Sequence, residues 1–157
     1  MKAAGVKEIK AELKTRSSKE LEELCLQLSR FKKENKELLT YLLFESSDEA
    51  HYIKNVKMEV DGQFEQINTQ SYYFIKKSVR KILRNIKKYI RYSKKKETEV
   101  ELLLYFCRKL KTFSPSIQNN TVLFNIYSRE LEGVKKKINN LHEDLQYDYG
   151  IEIESME

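Results

Sequence analysis

Residues that form turns are scarce in this sequence, and this scarcity constrains its fold more than any other feature. Four glycines and one proline occur among 157 residues. Tight turns, β-hairpins and β-bulges depend on these two residue types, so the composition disfavours an all-β fold. Leucine, lysine and glutamate dominate instead, and all three are good helix formers. We therefore expect an all-α protein.

Apolar residues recur at steps of three and four along most of the chain, which is the spacing of one helix face. We predict five or six helices packed as an antiparallel bundle, and a short α-solenoid is the alternative that periodicity does not separate from it. Residues 1–147 are expected to form one domain. Residues 18–45 fit either one helix or two helices with a kink near 32–36, and one helix is slightly favoured.

A heptad pattern follows the segment Ser114-Pro115-Ser116, which predicts a loop over 113–118. A long helix is expected over 119–147, followed by an acidic tail over 148–157. Its apolar residues alternate steps of three and four, as in a coiled coil. This face either packs inside the bundle, which is favoured, or joins two copies as a homodimer. The residues of the heptad face are Phe124, Tyr127, Leu131, Val134, Ile138, Leu141 and Leu145.

The segment between Ser71 and Lys96 contains eleven Lys or Arg residues and no Asp or Glu. The formal charge of the whole chain is only +6, so the positive charge is concentrated here. We predict a helix over 71–93 whose apolar residues, among them Ile75 and Ile86, occupy one arc. The cations on the opposite arc are Lys76, Lys77, Arg80, Lys81, Arg84, Lys87, Lys88 and Arg91.

These eight cations favour an anionic partner for the basic helix 71–96. Solvated helix faces usually alternate Glu with Lys, because opposite charges four residues apart stabilise a helix and like charges destabilise it. Like pairs such as Lys76 with Arg80 occur about five times here, at a cost of roughly 1–2 kcal/mol in sum. A face that is merely solvated is the alternative.

Among anionic partners we favour the RNA or DNA backbone. Contact with about five phosphates predicts that log K falls with log salt at a slope near −4 to −5. Tyr73, Tyr89 and Tyr92 lie on or beside the basic arc, where they are candidates for stacking on bases. Binding to a membrane surface needs an exposed apolar face. The core requires the apolar face of this helix, so a membrane is disfavoured as the partner. An acidic protein surface is the alternative, including residues 139–157 of this chain, which hold six acids and no Lys or Arg.

Catalytic motifs are absent from the sequence. It has no nucleophile elbow, phosphate-binding glycine loop or zinc-protease pattern, and its two histidines, His51 and His142, stand at predicted helix ends. We expect a non-enzymatic binding or adaptor module without a cofactor or metal. No apolar run is long enough for an integral membrane span, and no signal-peptide pattern opens the chain, so the expected location is cytoplasmic.

The opening of the chain carries a resemblance. The segments Glu8-Ile9-Lys10-Ala11-Glu12-Leu13, Ser18-Lys19-Glu20-Leu21-Glu22-Glu23-Leu24 and Leu28-Ser29-Arg30-Phe31-Lys32 are its basis. Over residues 7–44 they resemble uncharacterised bacterial families of small all-helical proteins of unknown function. The resemblance implies a bacterial, cytoplasmic, all-α protein, and it assigns no role to any residue.

Overall fold

The computed structural model describes residues 1–157 and contains helices and turns without any strand. The all-α prediction is confirmed, although the α-helices number eight instead of five or six. A π-helical turn, Tyr41–Glu45, follows α3, and a 3₁₀ turn, Ile117–Asn119, precedes α7. The helices are α1 (Val6–Leu13), α2 (Ser18–Phe31), α3 (Lys33–Thr40), α4 (Glu49–Glu65), α5 (Tyr72–Ser93), α6 (Lys96–Lys111), α7 (Thr121–Ile138) and α8 (Glu143–Glu154).

The chain divides into two compact units, an N-terminal unit of residues 1–44 and a C-terminal unit of residues 45–157. The structure thus has two compact units where one domain over 1–147 is predicted, and the single domain stays a prediction because the N-terminal unit has no core of its own. In the N-terminal unit, Ser17 begins α2 with a capping box: Ser17 Oγ accepts from the amide of Glu20 at 3.2 Å, and Glu20 Oε2 accepts from the amide of Ser17 at 2.8 Å. Such reciprocal bonds satisfy two amides that a helix start leaves open.

The favoured single helix over 18–45 is wrong, because the backbone of Lys32 is extended and separates α2 from α3. The segment 32–37 contains no apolar side chain, so continuing one helix through it would gain nothing from packing. Asn35 stabilises the corner instead, since its Nδ2 donates to the carbonyl of Leu28 at 2.8 Å.

Helix α6 lies at the centre of the C-terminal unit and contacts α4, α5 and α7. Apolar side chains dominate its central residues 100–107, which is typical of a helix packed against several others. The apolar side chains that it buries are Val100, Leu102, Leu103, Leu104, Phe106, Cys107 and Leu110.

A two-residue corner, Lys94-Lys95, joins α5 to α6. Lys94 has a left-handed backbone with φ of 59°, and its amide donates to the carbonyl of Ile90 at 2.9 Å. A carboxylate from α4 holds this corner: Glu49 Oε1 accepts from Thr98 Oγ1 at 2.6 Å and from the hydroxyl of Ser93. Lys95 Nζ lies 3.2 Å from Glu49 Oε2. The corner therefore fixes where α5 lies relative to α4 and α6.

The long helix predicted over 119–147 is interrupted after Ile138, and the acidic tail predicted over 148–157 belongs largely to α8. Asn139 and Asn140 are poor helix formers that favour a turn. His142 then begins α8, because its Nδ1 accepts from the amide of Asp144 at 3.3 Å. Ile153 and Met156 are buried, so this segment packs on the unit.

The heptad face lies mostly inside the C-terminal unit. Tyr127, Leu131, Val134 and Ile138 are buried, and Tyr127 Oη donates to the carbonyl of Met156 at 3.0 Å. Phe124 is exposed, while Leu141 and Leu145 are half-buried. Self-association through this face is therefore contradicted, because its four central residues already pack within one copy.

Candidate anion-binding groove

Helix α5 has the two-sided form that its sequence predicts. All six aliphatic side chains among its 22 residues are buried, whereas most of its cations are exposed. The apolar residues follow steps of three and four, so they form one continuous face against the unit. The buried set is Ile75, Val79, Ile82, Leu83, Ile86 and Ile90.

A groove of about 900 Å³ lies between α5 and α7 and includes Leu103 of α6 in its lining. Six cations and two carboxylates line it, so the charge of its walls is strongly positive. Helix α5 contributes four cations at positions i, i+4, i+7 and i+11, which lie on one side of a helix over about 16 Å. The lining cations are Arg80, Arg84, Lys87 and Arg91 from α5, and Arg129 and Lys137 from α7.

Three of the six cations have partners within the groove. Lys87 Nζ lies 2.9 Å and Arg129 Nε 3.3 Å from Glu130 Oε1. Lys137 Nζ lies 3.6 Å from Glu99 Oε1. The side chain of Glu130 is only 7% exposed, so this carboxylate depends on its two cationic partners.

The three remaining cations, Arg80, Arg84 and Arg91, form no ion pair or hydrogen bond with the protein. Their side chains are exposed. A guanidinium is always charged and presents a planar set of donors that matches two oxygens of a phosphate or carboxylate. These three arginines are therefore open to an external anion.

The structure separates the eight cations predicted to bind an anion. Four of them line the groove, and the other four lie elsewhere on α5. The latter are Lys76, Lys77, Lys81 and Lys88. Sequence reasoning missed Arg129 and Lys137, because they belong to a different helix that only the tertiary fold places beside α5.

The three tyrosines predicted to stack on bases also differ in position. Tyr73 is 65% exposed and stands seven residues before Arg80, which places it near the same side of α5. Tyr89 Oη instead donates to Glu59 of α4 at 2.9 Å, and the ring of Tyr92 lies 6.1 Å from that of Tyr89. Tyr89 therefore lies away from the groove, since it is rotated about 200° from Lys87, and stacking on bases by Tyr89 and Tyr92 stays a prediction.

The acidic segment after Asn139 pairs with cations of α6 and α7, and not with the groove arginines of α5. Glu152 pairs with Arg108 of α6, and Glu157 pairs with Lys135 of α7. Lys111 of α6 donates to the carbonyl of Met156. Among the groove cations of α5, Lys87 thus pairs with a carboxylate of this chain, whereas the three arginines do not.

Burial and charge shift several ionisable groups in this unit. Burial, together with the nearby Glu130 carboxylate, raises the pKa of the Cys107 thiol to about 12. Asp61 accepts from Tyr105 Oη at 2.6 Å and lies 2.9 Å from Lys109 Nζ. Burial opposes ionisation of Asp61, yet these two partners outweigh it and lower its pKa. The same contact and burial raise the pKa of Tyr105 to about 12.

The two histidines are exposed and lie apart from the groove. His51 Nδ1 lies 3.4 Å from Glu45 Oε2 and 3.2 Å from Asn55 Nδ2, and His142 caps α8. No group of three or more His, Cys, Asp or Glu side chains is arranged to hold a metal ion. None of the helices combines the length and the apolar content needed to cross a bilayer.

Comparisons with protein-family models, with curated proteins and with solved structures found no match to this chain. The resemblance of residues 7–44 to small bacterial helical families therefore stays a prediction from the residues themselves.

Proposed function

We propose that this protein is a non-enzymatic nucleic-acid-binding module whose groove between α5 and α7 holds the phosphate backbone. The observation that carries the proposal is the row of three arginines, Arg80, Arg84 and Arg91, that face the groove without an intramolecular partner. They are spaced by four and seven residues, so about 16 Å separates the first from the last along α5. A ligand that uses all three must carry several negative charges along its length.

Shape and chemistry favour a nucleic-acid backbone over the other anionic partners. The groove is concave, whereas a membrane surface is nearly flat, and the apolar face of α5 is buried and unable to enter a bilayer. Arginine forms paired hydrogen bonds with phosphate oxygens. Tyr73, exposed near the same side of α5, offers a ring on which a base can stack.

The test is titration of a labelled single-stranded oligonucleotide, followed by fluorescence anisotropy at several salt concentrations. We expect a dissociation constant on the order of 1–100 µM near physiological salt, as for binding without sequence preference. Three phosphate contacts, one for each unpaired arginine, predict a slope of about −2 in log K against log salt for a single strand. An acidic peptide of equal length and charge serves as the competing ligand.

A matched pair of variants locates the binding. Arg80→Gln with Arg84→Gln removes two charges from the groove, and Lys77→Gln with Lys81→Gln removes two charges from neighbouring turns outside it. We expect the first variant to weaken binding at least about 30-fold and the second less than about 3-fold. Equal losses would show that the whole helix attracts polyanions without using the groove. Stronger binding of the acidic peptide than of the oligonucleotide would assign the groove to a protein partner.

A further inference from the structure

The N-terminal unit lacks a hydrophobic core. Among its 44 residues only Ser29 and Tyr41 are buried. Its three helices nevertheless keep amphipathic patterns, and their large apolar side chains remain exposed. The most exposed within the helices and the π turn are Val6, Leu28, Phe31, Leu42, Leu43 and Phe44. Helices of 8 to 14 residues are marginal in water unless an apolar face is packed.

An apolar groove of about 200 Å³ lies between α2 and α3 on this unit. It is open to solvent, and its lining is mostly aliphatic. Polar atoms enter it only through Ser29, Asn35 and the thiol of Cys25. The aliphatic residues that line it are Leu28, Leu38, Leu39 and Leu42. A surface of this kind is what one half of a helical interface presents before its partner covers it.

The exposed area matches what a stable dimer needs. Seven Leu and Phe side chains of α2 and the π turn are about 40–76% exposed. Together they leave on the order of 700 Å² of apolar surface in water, close to the about 800 Å² that one side of a standard interface buries. Small helical units without a core commonly gain their stability from oligomerisation.

Charge favours a second copy of this chain as the occupant. Residues 1–44 contain ten Lys or Arg and seven Glu, so both signs lie around the apolar faces. A face of mixed charge can complement its own copy, whereas the all-cationic face of α5 would repel a second copy. An anionic membrane favours a face rich in Lys and Arg alone, and the seven carboxylates interspersed among the ten cations weaken that attraction.

We infer that the N-terminal unit joins two copies of this chain, with the α2–α3 face of one packed on the same face of the other about a twofold axis. An isologous contact of this kind uses one patch twice and closes at two copies. The inference rests on the N-terminal unit alone and does not depend on nucleic-acid binding by the C-terminal unit.

Sedimentation equilibrium of the full chain, from about 1 to 200 µM, tests this inference. We expect a reversible monomer–dimer equilibrium for the natural sequence. The variant Leu28→Glu with Phe31→Glu places two charges in the apolar face, and we expect it to weaken association at least about 30-fold. Both residues are exposed, so the C-terminal unit should fold unchanged, which thermal unfolding followed by circular dichroism verifies.

Met58→Glu is the control, because Met58 is 62% exposed and lies in the C-terminal unit, close to the 60% exposure of Leu28. We expect it to leave the association constant within about 3-fold of the original. A strictly monomeric natural chain at 200 µM would overturn the inference, and so would a dimer that resists the double variant. A monomer that binds phosphatidylserine vesicles through the same residues would assign this face to a lipid surface instead.

Discussion

The two units of this protein use the same helix-forming residues with opposite outcomes for their apolar side chains. Eleven large apolar residues are exposed among the 44 of the N-terminal unit, against six among the 113 of the C-terminal unit. Both units contain helices with capped ends and apolar residues at steps of three and four. Helix formation is decided locally, whereas burial requires other helices that enclose the apolar face. In the C-terminal unit α6 is enclosed by three neighbours.

The causes of the pKa shifts differ between the two units in the same way. In the N-terminal unit the resolved pKa shift is that of Glu20, which is lowered chiefly because Glu20 accepts from the backbone amide of Ser17. In the C-terminal unit burial is the first cause of the raised pKa values of Tyr105, Cys107, Tyr127 and Tyr149. The pKa of a carboxylate at a helix cap is lowered without any hydrophobic core. The pKa of a phenol or thiol is raised by burial only where a core exists.

The largest expected effect compares one phenylalanine from each unit. Phe106→Ala should lower the free energy of unfolding by about 3–5 kcal/mol, because its ring is fully buried and truncation leaves a cavity. Phe31→Ala removes a ring that is 76% exposed and should change it by less than about 0.5 kcal/mol. Guanidinium unfolding at about 1 µM measures both. Equal losses would contradict the difference between the units.

The next effect concerns the carboxylate that holds the corner between α5 and α6. Glu49→Ala should cost about 2–3 kcal/mol, since the buried hydroxyls of Ser93 and Thr98 lose their acceptor. Glu22→Ala, an exposed glutamate of the N-terminal unit, is the control and should change stability by less than about 0.5 kcal/mol. Thermal unfolding of both variants provides the comparison. A Glu49 variant as stable as the control would show that the corner does not need this acceptor.

The two units should lose stability at opposite ends of the pH range. Tyr105 has a folded pKa of about 12, above its ordinary value of 10.0, so its contribution to stability is complete below pH 10 and is lost as pH rises towards 12. Glu20 has a lowered folded pKa, so its contribution is present above its ordinary pKa of 4.5 and is lost as pH falls through the folded pKa. Thermal unfolding of the natural chain and of Tyr105→Phe from pH 9 to 12 tests the first. An unchanged alkaline slope in Tyr105→Phe would exclude this phenol as a contributor.

The smallest expected effect is a gain in stability. Lys94 occupies a left-handed conformation that glycine adopts without steric cost, so Lys94→Gly should stabilise the C-terminal unit by up to about 1 kcal/mol. Lys95→Gly is the control, because Lys95 has an ordinary extended backbone, so glycine there relieves no strain, adds freedom to the unfolded chain and removes the ion pair with Glu49. We expect it to lower stability slightly, measured by the same unfolding experiment. A loss in both variants would contradict the strain assigned to Lys94.

The sequence was sufficient to predict the features that depend on a single helix. The division of α5 into buried and charged faces follows from the spacing of Ile75 to Ile90 alone, and the structure confirms it. It was insufficient where two segments must meet. Arg129 and Lys137 join the groove because α7 packs beside α5. The spacing of residues within α7 does not indicate which helix lies beside it. The break at Lys32 was the less favoured alternative and the break after Ile138 was missed, because the apolar spacing continues on both sides of each break.

The unequal burial of the two cysteines decides how this chain responds to oxidation. Cys25 is exposed, whereas Cys107 has no exposed surface and a thiol whose pKa is raised to about 12. The thiolate is the reactive form, so Cys107 stays inert while the C-terminal unit is folded. A disulfide in the folded protein therefore links two chains through Cys25. A band of twice the monomer mass on a non-reducing gel would report air oxidation, and any measurement of reversible pairing requires a reductant.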